Sequence, residues 1–482
     1  MSKMKQITNP TLSLQADTST SKPTPKSAAE ASKAMTASDI LLPKNTKTTP
    51  TTSFSSPLLS PVLPEPEPVS NTQVNAPLEK LPSEVRRNLL SRLQLEDLSA
   101  LVHASPVFHQ QYLLDRRFLL CTCLEISLHS SSSSIIDACA VYRTGLIDFS
   151  DARTHDKVIH FLQFYQDRRS STEYSIFSEG LIESEIVEIA AFHSTIIKPL
   201  ARQYTDWALT NLADETKNTR SITPLSKTEE MRLQRALYRF QLCCNLFGKN
   251  ADSSQWFFQG LNFKSVDILT MFLCLFEPWE IEEILCLYTF SKEMYTQIFK
   301  EIHWDLDANN PKFDDQGRPP TPTGAFDLDD DAYLMGTISL GLKILHRVLI
   351  TRDHDQRVWA MQEHICLPLG EFLESEGTDV LDEWTQQDRR RKHPSYRDQK
   401  ELRRDPLPFE GDKELCPPLA WTILWQGTYS NRYGGYLEDG IRHWGYIMWD
   451  AVRLGETGGK EILARLWEER KSDRWSDPRD SR

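Results

Sequence analysis

The helical periodicity of one central segment, KTEEMRLQRALYRFQLCCNLFG (Lys227 to Gly248), constrains the fold more than any other feature of the sequence. Ser226 and Glu229 have the spacing of a capping box, which marks a helix start, and Gly248 stands where the residue after a helix end belongs. Between them the apolar positions recur every three or four residues, as on one face of an α-helix. These positions are Leu233, Ala236, Leu237, Phe240 and Cys244. The segment therefore predicts a long helix with one face in a hydrophobic core.

The same periodicity recurs along most of the chain after residue 76. Further helices are predicted within 118–128, 152–168, 181–212, 266–276, 281–301, 331–351, 355–374, 437–453 and 461–471. We find no convincing run of the alternating apolar pattern that predicts strands, and no repeat of fixed length. The sequence therefore predicts an all-α fold, with connecting segments near 212–225, 305–330 and 386–416.

Residues 1–76 differ in composition from the rest of the chain. They contain 24 Ser or Thr and 10 Pro, and Phe54 is their one aromatic residue. Such a segment cannot bury enough apolar surface to offset its conformational entropy, so we predict a disordered leader. Ser-Pro and Thr-Pro pairs begin at Thr24, Thr49, Ser56 and Ser60. They are candidate phosphorylation sites, or pairs that occur by chance in such a composition.

Charge and cysteine content restrict the partners and the environment. The chain has 482 residues, a formal net charge of −13, nine cysteines and no CxxC pair. Because seven Lys stand against five Asp or Glu in the leader, the remaining body carries −15, which argues against nucleic acid as the main partner. Scattered cysteines in a long chain are typical of thiols in a reducing compartment. Without a signal-sequence core or an apolar run of membrane-spanning length, we expect a cytoplasmic or nuclear protein with no membrane partner.

Familiar catalytic and metal-binding motifs are missing from the sequence. It contains neither GxSxG nor HExxH, the signatures of common serine hydrolases and zinc peptidases. We therefore expect a protein that is not an enzyme, with no catalytic residues, no metal and no cofactor. An enzyme whose site is assembled from residues distant in sequence stays open as an alternative.

A leucine-rich stretch, LPSEVRRNLLSRLQLEDLSALVHASPVFHQ, runs from Leu81 to Gln110 directly after the leader. The stretch contains three groups of apolar residues. In the first group the apolar residues recur every four positions, as on one face of a helix. The second group includes the acidic residues Glu96 and Asp97, and the third follows Ser105-Pro106, a pair typical of a helix start. Three helices this short expose more apolar surface than they can cover among themselves. We expect either the rest of the chain or a partner protein to cover it.

This stretch resembles an F-box. Leu81 and Pro82 match the opening pair of the F-box pattern, and Leu89, Leu90 and Leu93 match the end of its first helix. Asp97, Leu98 and Leu101 match its second helix, and Ala104, Ser105 and Phe108 match its third. His103 and Pro106 depart from residues that are common in the family.

The resemblance implies that residues 77–125 bind the Skp adaptor, which links F-box proteins to a cullin-based ubiquitin ligase. The adaptor-binding residues would be Leu81, Pro82, Val85, Leu89, Leu90, Leu93, Leu98, Leu101, Val102 and Phe108. Two body segments, TEEMRLQRALYRFQLCCNLF and RHWGYIMWDAVRL, resemble segments of the helical bodies of fungal F-box proteins. The alternative is an ordinary helical corner whose leucines pack on residues 118–124.

An aromatic-rich segment, residues 417–470, lies near the C-terminus. Tyr and Trp are over-represented at binding hot spots, but they are also ordinary core residues with a polar atom. A recognition surface for a target and a packed core are therefore both open. The candidate target-binding aromatics are Trp421, Trp425, Tyr433, Tyr436, Trp444 and Trp449.

Together these features predict three parts: a disordered leader (1–76), an F-box (77–125) and an α-helical body (126–482) of one or two subdomains. The function that the resemblance implies is a substrate receptor of a ubiquitin ligase, which binds the Skp adaptor through the F-box and a protein target through the body. A scaffold that acts outside ubiquitination is the alternative.

Overall fold

The computed structural model describes residues 77–129, 131–150, 153–170, 174–219, 223–249, 263–313, 325–368, 372–373, 390–437, 439–472, 477 and 479. The disorder predicted for residues 1–76 lies outside these ranges.

The described part of the chain is mostly α-helical with almost no β structure, which confirms the predicted all-α class. The helices are α1 (Ser83–Leu90), α2 (Leu95–Ala104), α3 (Pro106–Ser127), α4 (Ser132–Thr144), α5 (Ile147–Ser150), α6 (His155–Arg169), α7 (Glu183–Phe192), α8 (Lys198–Thr216), α9 (Lys227–Phe247), α10 (Ser265–Met271), α11 (Pro278–Leu306), α12 (Asp331–Ile338), α13 (Leu342–Ile350), α14 (His354–His364), α15 (Tyr396–Arg403), α16 (Leu419–Leu424), α17 (Asp439–Arg442), α18 (Ala451–Thr457) and α19 (Gly459–Ser472). A π-helical turn, His193–Ile197, joins α7 to α8. Pairing of the β type within the described residues is an isolated bridge between Pro406 and Thr428.

Helix α9 is the central element of the body, and its predicted bounds are confirmed. Nearly all of its residues are buried, and α4, α8 and α11 pack against it. The capping box is also confirmed: the Glu229 N–H donates to Ser226 Oγ at 3.1 Å, and the Ser226 N–H donates to the Glu229 carboxylate at 2.9 Å. The predicted apolar stripe therefore lies in the core, but so do most of the polar positions of this helix.

Gly248 ends α9 for a reason that differs from the one predicted. Its φ is −79°, so it does not adopt the left-handed conformation of a C′ glycine. A Cβ atom at Gly248 would lie 2.1 Å from the Ser339 carbonyl oxygen. A close approach between two backbone segments therefore requires glycine here.

The segment predicted as one helix at 331–351 forms two, α12 and α13, which meet at a bend of 105°. Gly341 has a φ of +87°, and the Leu342 N–H donates to Gln241 Oε1 at 2.7 Å. The Gln241 side chain of α9 thus caps the N-terminus of α13 where the chain turns. In the described part of the chain no single helix is long and apolar enough to cross a membrane. Helices α12 and α13 reach that length and apolar composition only when the two are counted together.

Other predicted bounds need correction. The helix predicted at 118–128 is the second half of α3, which runs from Pro106 through a kink at Asp115. The helix predicted at 355–374 ends at His364, and the one predicted at 437–453 is broken after Arg442, where the chain turns through Gly445 at a φ of +64°. Helices α4, α5, α15 and α16 were not predicted.

Candidate functional site

Helix α1 packs on α3 through one of its faces. Ser83 Oγ donates to Gln111 Oε1 at 2.9 Å, Arg87 Nε lies 3.3 Å from Asp115 Oδ1, and the Leu90 carbonyl accepts from Cys123 Sγ at 3.2 Å. At about 100° per residue, Ser83, Arg87 and Leu90 share one face of the helix. On that face Leu90 is buried, whereas Ser83 and Arg87 contact α3 and stay exposed in part.

The opposite side of α1 is covered only in part by the described residues, because Leu89 packs against the hydrophobic core and Val85 is exposed. Val85 lies about 180° from the α3-facing side, and its side chain is 46% exposed. Leu81 and Leu89 on either side of it are half-buried, and Pro82 is exposed. We call Leu81, Val85 and Leu89 the α1 outer face.

The other residues predicted to bind the adaptor divide into two groups. Leu90, Leu98, Val102 and Phe108 are buried in the hydrophobic core, whereas Leu93 and Leu101 are half-buried against it. On α3, Leu113 and Leu114 are 55% and 76% exposed, although the sequence pattern had not singled them out. The chain therefore covers most leucines of the leucine-rich stretch and leaves Val85 exposed, with Leu113 and Leu114 exposed shortly after the stretch.

The predicted target-binding aromatics also divide into two groups. Trp421, Trp425, Trp444 and Trp449 are between 0% and 2% exposed, so these four form part of the core and offer no recognition surface in this structure. Tyr433 and Tyr436 are half-buried, and the Arg432 guanidinium lies 4.2 Å from the ring of Tyr436. The packing alternative therefore accounts for the tryptophans.

A groove of about 440 Å³ opens along α11, and the sequence patterns had not indicated it. One wall is a single stripe of α11, since its residues are spaced three and four apart: Leu285, Tyr288, Thr289, Lys292, Glu293 and Thr296. The other wall is the glycine turn at Gly434 and Gly435, with Leu437, Asp439, Arg442 and His443, and Leu373 closes one side. We call this cavity the α11 groove.

A buried carboxylate holds the two walls of the α11 groove together. Glu282 accepts the N–H of Gly434 at 2.9 Å and the Nε–H of Arg442 at 2.9 Å. Arg442 in turn donates to the Gly434 carbonyl at 2.6 Å and to Asp439 Oδ1 at 2.6 Å. At the rim, His443 Nδ1 lies 2.9 Å from Glu293 Oε2. Buried hydrogen bonds therefore fix the two walls of the groove to each other.

Buried ion pairs run along α9. Its Arg232, Arg235 and Arg239 are at most 1% exposed. They meet carboxylates of other elements: Asp450 at 2.8 Å, Glu283 at 2.5 Å and Asp137 at 2.8 Å, respectively. Burial by itself would raise the pKa of the nearby Glu280, but Arg239 and Arg235 hold that pKa well below its usual range. These pairs connect α4, α9, α11 and the C-terminal segment.

A fully buried histidine, His193, lies in the π-helical turn between α7 and α8. Its Nδ1 is 2.9 Å from the Tyr238 hydroxyl. Burial lowers the pKa of His193 to about 3, and the positive charges of Lys198 and His129 act in the same direction. The folded protein therefore holds this imidazole neutral well below the pH at which a solvated histidine takes up a proton.

Stability is expected to fall as the pH drops below 7.5, partly because of His193. Between pH 6.5 and 3 the unfolded chain binds a proton at this position and the folded chain does not, so acid favours unfolding. From pH 7.5 to 5 this difference amounts to about 2 kcal/mol. His193→Gln should remove that part of the pH dependence, measured by urea unfolding at several pH values. The control is His103→Gln, at an exposed position of α2; equal pH slopes for wild type and His193→Gln would contradict the assignment.

Within the described residues no group of three His, Cys, Asp or Glu side chains is arranged to hold a metal ion. Six of the nine cysteines are buried. Comparison of the chain with protein-family models, with curated proteins and with solved structures gave no match. The arguments about function therefore depend on the residues themselves.

Proposed function

We propose that the chain is a substrate receptor of a cullin-based ubiquitin ligase, in which residues 77–125 bind the Skp adaptor and the helical body binds a protein target. The observation that carries the proposal is the α1 outer face. Val85 is 46% exposed with half-buried leucines on both sides, while the residues of α1 that face α3 are engaged. An exposed apolar surface of this kind is typical of a partner interface.

The division between inner and outer residues supports this proposal. A simple helical corner would turn the apolar stripe of α1 toward α3, because burial of a leucine or valine side chain contributes about 1.5 to 3 kcal/mol. Here α1 presents Leu90, which is buried, together with Ser83 and Arg87, which have polar partners on α3. Within the apolar stripe of α1, Val85 is the exposed residue that another protein would cover.

In this proposal the protein itself performs no covalent chemistry. A receptor of this type acts by raising the effective concentration of its target near the catalytic subunit of the ligase. A scaffold role outside ubiquitination would use the same adaptor-binding surface, so the presence or absence of a cullin in the purified complex separates these two roles.

The Skp adaptor is expected to form a one-to-one complex with the chain, and Val85→Asp is expected to weaken that complex at least 30-fold. The substitution would place a carboxylate in an apolar interface, where no partner compensates for the loss of its hydration. Because Val85 faces away from α3, the fold itself should stand. Co-expression followed by size exclusion detects the complex, and calorimetry on the purified proteins measures the affinity.

The matched control is Val452→Asp, the same change at a valine of α18 that is 69% exposed. It should bind the adaptor like the wild type. A lone monomeric chain that ignores the adaptor, or equal affinities for Val85→Asp and Val452→Asp, would overturn the proposal.

A further inference from the structure

The dimensions of the α11 groove suit a short extended peptide. The stripe from Leu285 to Thr296 covers eleven helical steps, which is about 16 Å at 1.5 Å per residue. An extended chain covers that length with about five residues. The cavity volume of about 440 Å³ lies in the range of ligand-binding clefts.

The two ends of the groove differ in chemistry. Leu285 and Tyr288 on α11, with Leu437 opposite, provide an apolar end. Further along α11 the wall becomes polar, with Thr289, Lys292, Glu293 and Thr296. A ligand that fills the groove therefore needs an apolar side chain at one end and polar groups at the other.

The carboxylate of Asp439 is the charge most accessible to a ligand at the groove. Arg442 is buried and is neutralised by Glu282 at 2.9 Å and Asp439 at 2.6 Å, and Lys292 has an interaction of its own. Asp439, by contrast, is 79% exposed, and Glu293 stands at the rim beside His443. Two carboxylates, Glu293 and Asp439, and two cations, Lys292 and Arg442, line the groove, and Asp439 is the most exposed of the four. The body as a whole is acidic, so its long-range field also attracts basic partners.

From this geometry we infer that the α11 groove binds an extended peptide segment of a partner protein that carries an apolar side chain and, within about five residues of it, a lysine or arginine. The inference builds on the proposed function, since such a segment would be the part of the target that the receptor recognises. The apolar side chain lies against Leu285 and Tyr288, and the cationic side chain pairs with Asp439 or Glu293.

The test is a selection of phage-displayed random dodecapeptides on the full chain, followed by fluorescence polarisation with synthetic copies of the enriched peptides. We expect enriched peptides to contain an apolar residue and a lysine or arginine within about five positions. Asp439→Lys should weaken their binding at least 10-fold. Thr289→Trp, which fills the middle of the groove, should abolish it.

The matched control is Glu468→Lys, the same charge reversal at an exposed residue of α19 that does not line the groove; it should bind the peptides like the wild type. Thermal melting of every variant separates loss of binding from loss of fold. An absence of enriched peptides, enrichment of acidic peptides or of sequences from this chain itself, or binding that survives Thr289→Trp would overturn the inference. The selection uses no adaptor, so its outcome is independent of whether the Skp adaptor binds α1.

Discussion

Replacing Arg235 with methionine is expected to destabilise the fold by about 3 to 5 kcal/mol. Arg235 is 1% exposed, and its Nε and Nη2 donate to the Glu283 carboxylate at 2.9 and 2.5 Å. Without the guanidinium, Glu283 remains in the core without its main cationic partner. Burial already raises the pKa of Glu283, and Arg235 is the charge that most opposes this shift. The cost of the substitution is therefore mainly that of leaving a carboxyl group buried without compensation.

Urea unfolding of Arg235→Met, Glu283→Met and the double variant measures this cost. The double variant should be less destabilised than the sum of the two single variants, because it leaves neither charge behind. Arg465→Met is the control: this arginine of α19 has a 58% exposed side chain and pairs with Glu215 and Glu469 at 3.8 and 3.5 Å. A surface pair of this kind should contribute less than about 1 kcal/mol. If Arg235→Met is no more destabilising than Arg465→Met, the buried Arg235–Glu283 pair is no more important to stability than a surface pair, and the prediction is wrong.

Features of the fold that depend on neighbouring residues were predictable from the sequence. The capping box of Ser226 and Glu229 fixed the start of α9, and its apolar spacing predicted a core helix. The Ser105-Pro106 pair likewise marked the start of α3, since Ser105 Oγ accepts from the Phe108 N–H at 3.4 Å. In both cases the signal and the structure lie within one helical turn.

Features that depend on residues distant in sequence were not predictable. Arg235 and Glu283 are 48 positions apart, and Arg232 and Asp450 are 218 apart. A pattern on α9 alone could indicate charged residues on a helix but not the carboxylates that allow their burial. The α11 groove was missed for the same reason, because its second wall comes from a glycine turn and a short helix far along the chain.

The leucine-rich stretch and the aromatic segment were each predicted only in part. Periodicity identified Val85 as an apolar position and the F-box resemblance added Leu90, but only the packing of α1 on α3 separates the buried leucine from the outward valine. In the aromatic segment, composition alone could not show whether the aromatic side chains lie on the surface or in the core. The four tryptophans are core residues, whereas Gly434 and Gly435 form part of one wall of the groove.

Gly336→Ala is expected to destabilise the protein by about 3 kcal/mol or more, against the direction that helix propensity predicts. Gly336 is a buried residue of α12, and in an α-helix alanine is ordinarily about 1 kcal/mol more favourable than glycine. A Cβ atom there, however, would lie 1.8 Å from the Cys366 carbonyl oxygen and 2.6 Å from the Leu367 carbonyl carbon. These are backbone atoms, which cannot rotate away as the end of a side chain can, so α12 or the segment after α14 must shift.

Gly455→Ala in α18 separates the two effects, because a Cβ at Gly455 would meet no atom within 4 Å. That variant should be more stable than the wild type by about 0.5 to 1 kcal/mol, as helix propensity alone predicts. Urea unfolding of the two variants side by side measures the direction of each change in the free energy of unfolding. Opposite signs would show that close backbone packing, and not propensity, selects glycine at position 336. If both substitutions stabilise the protein, residues 366–367 do not approach α12 as closely as the structure places them.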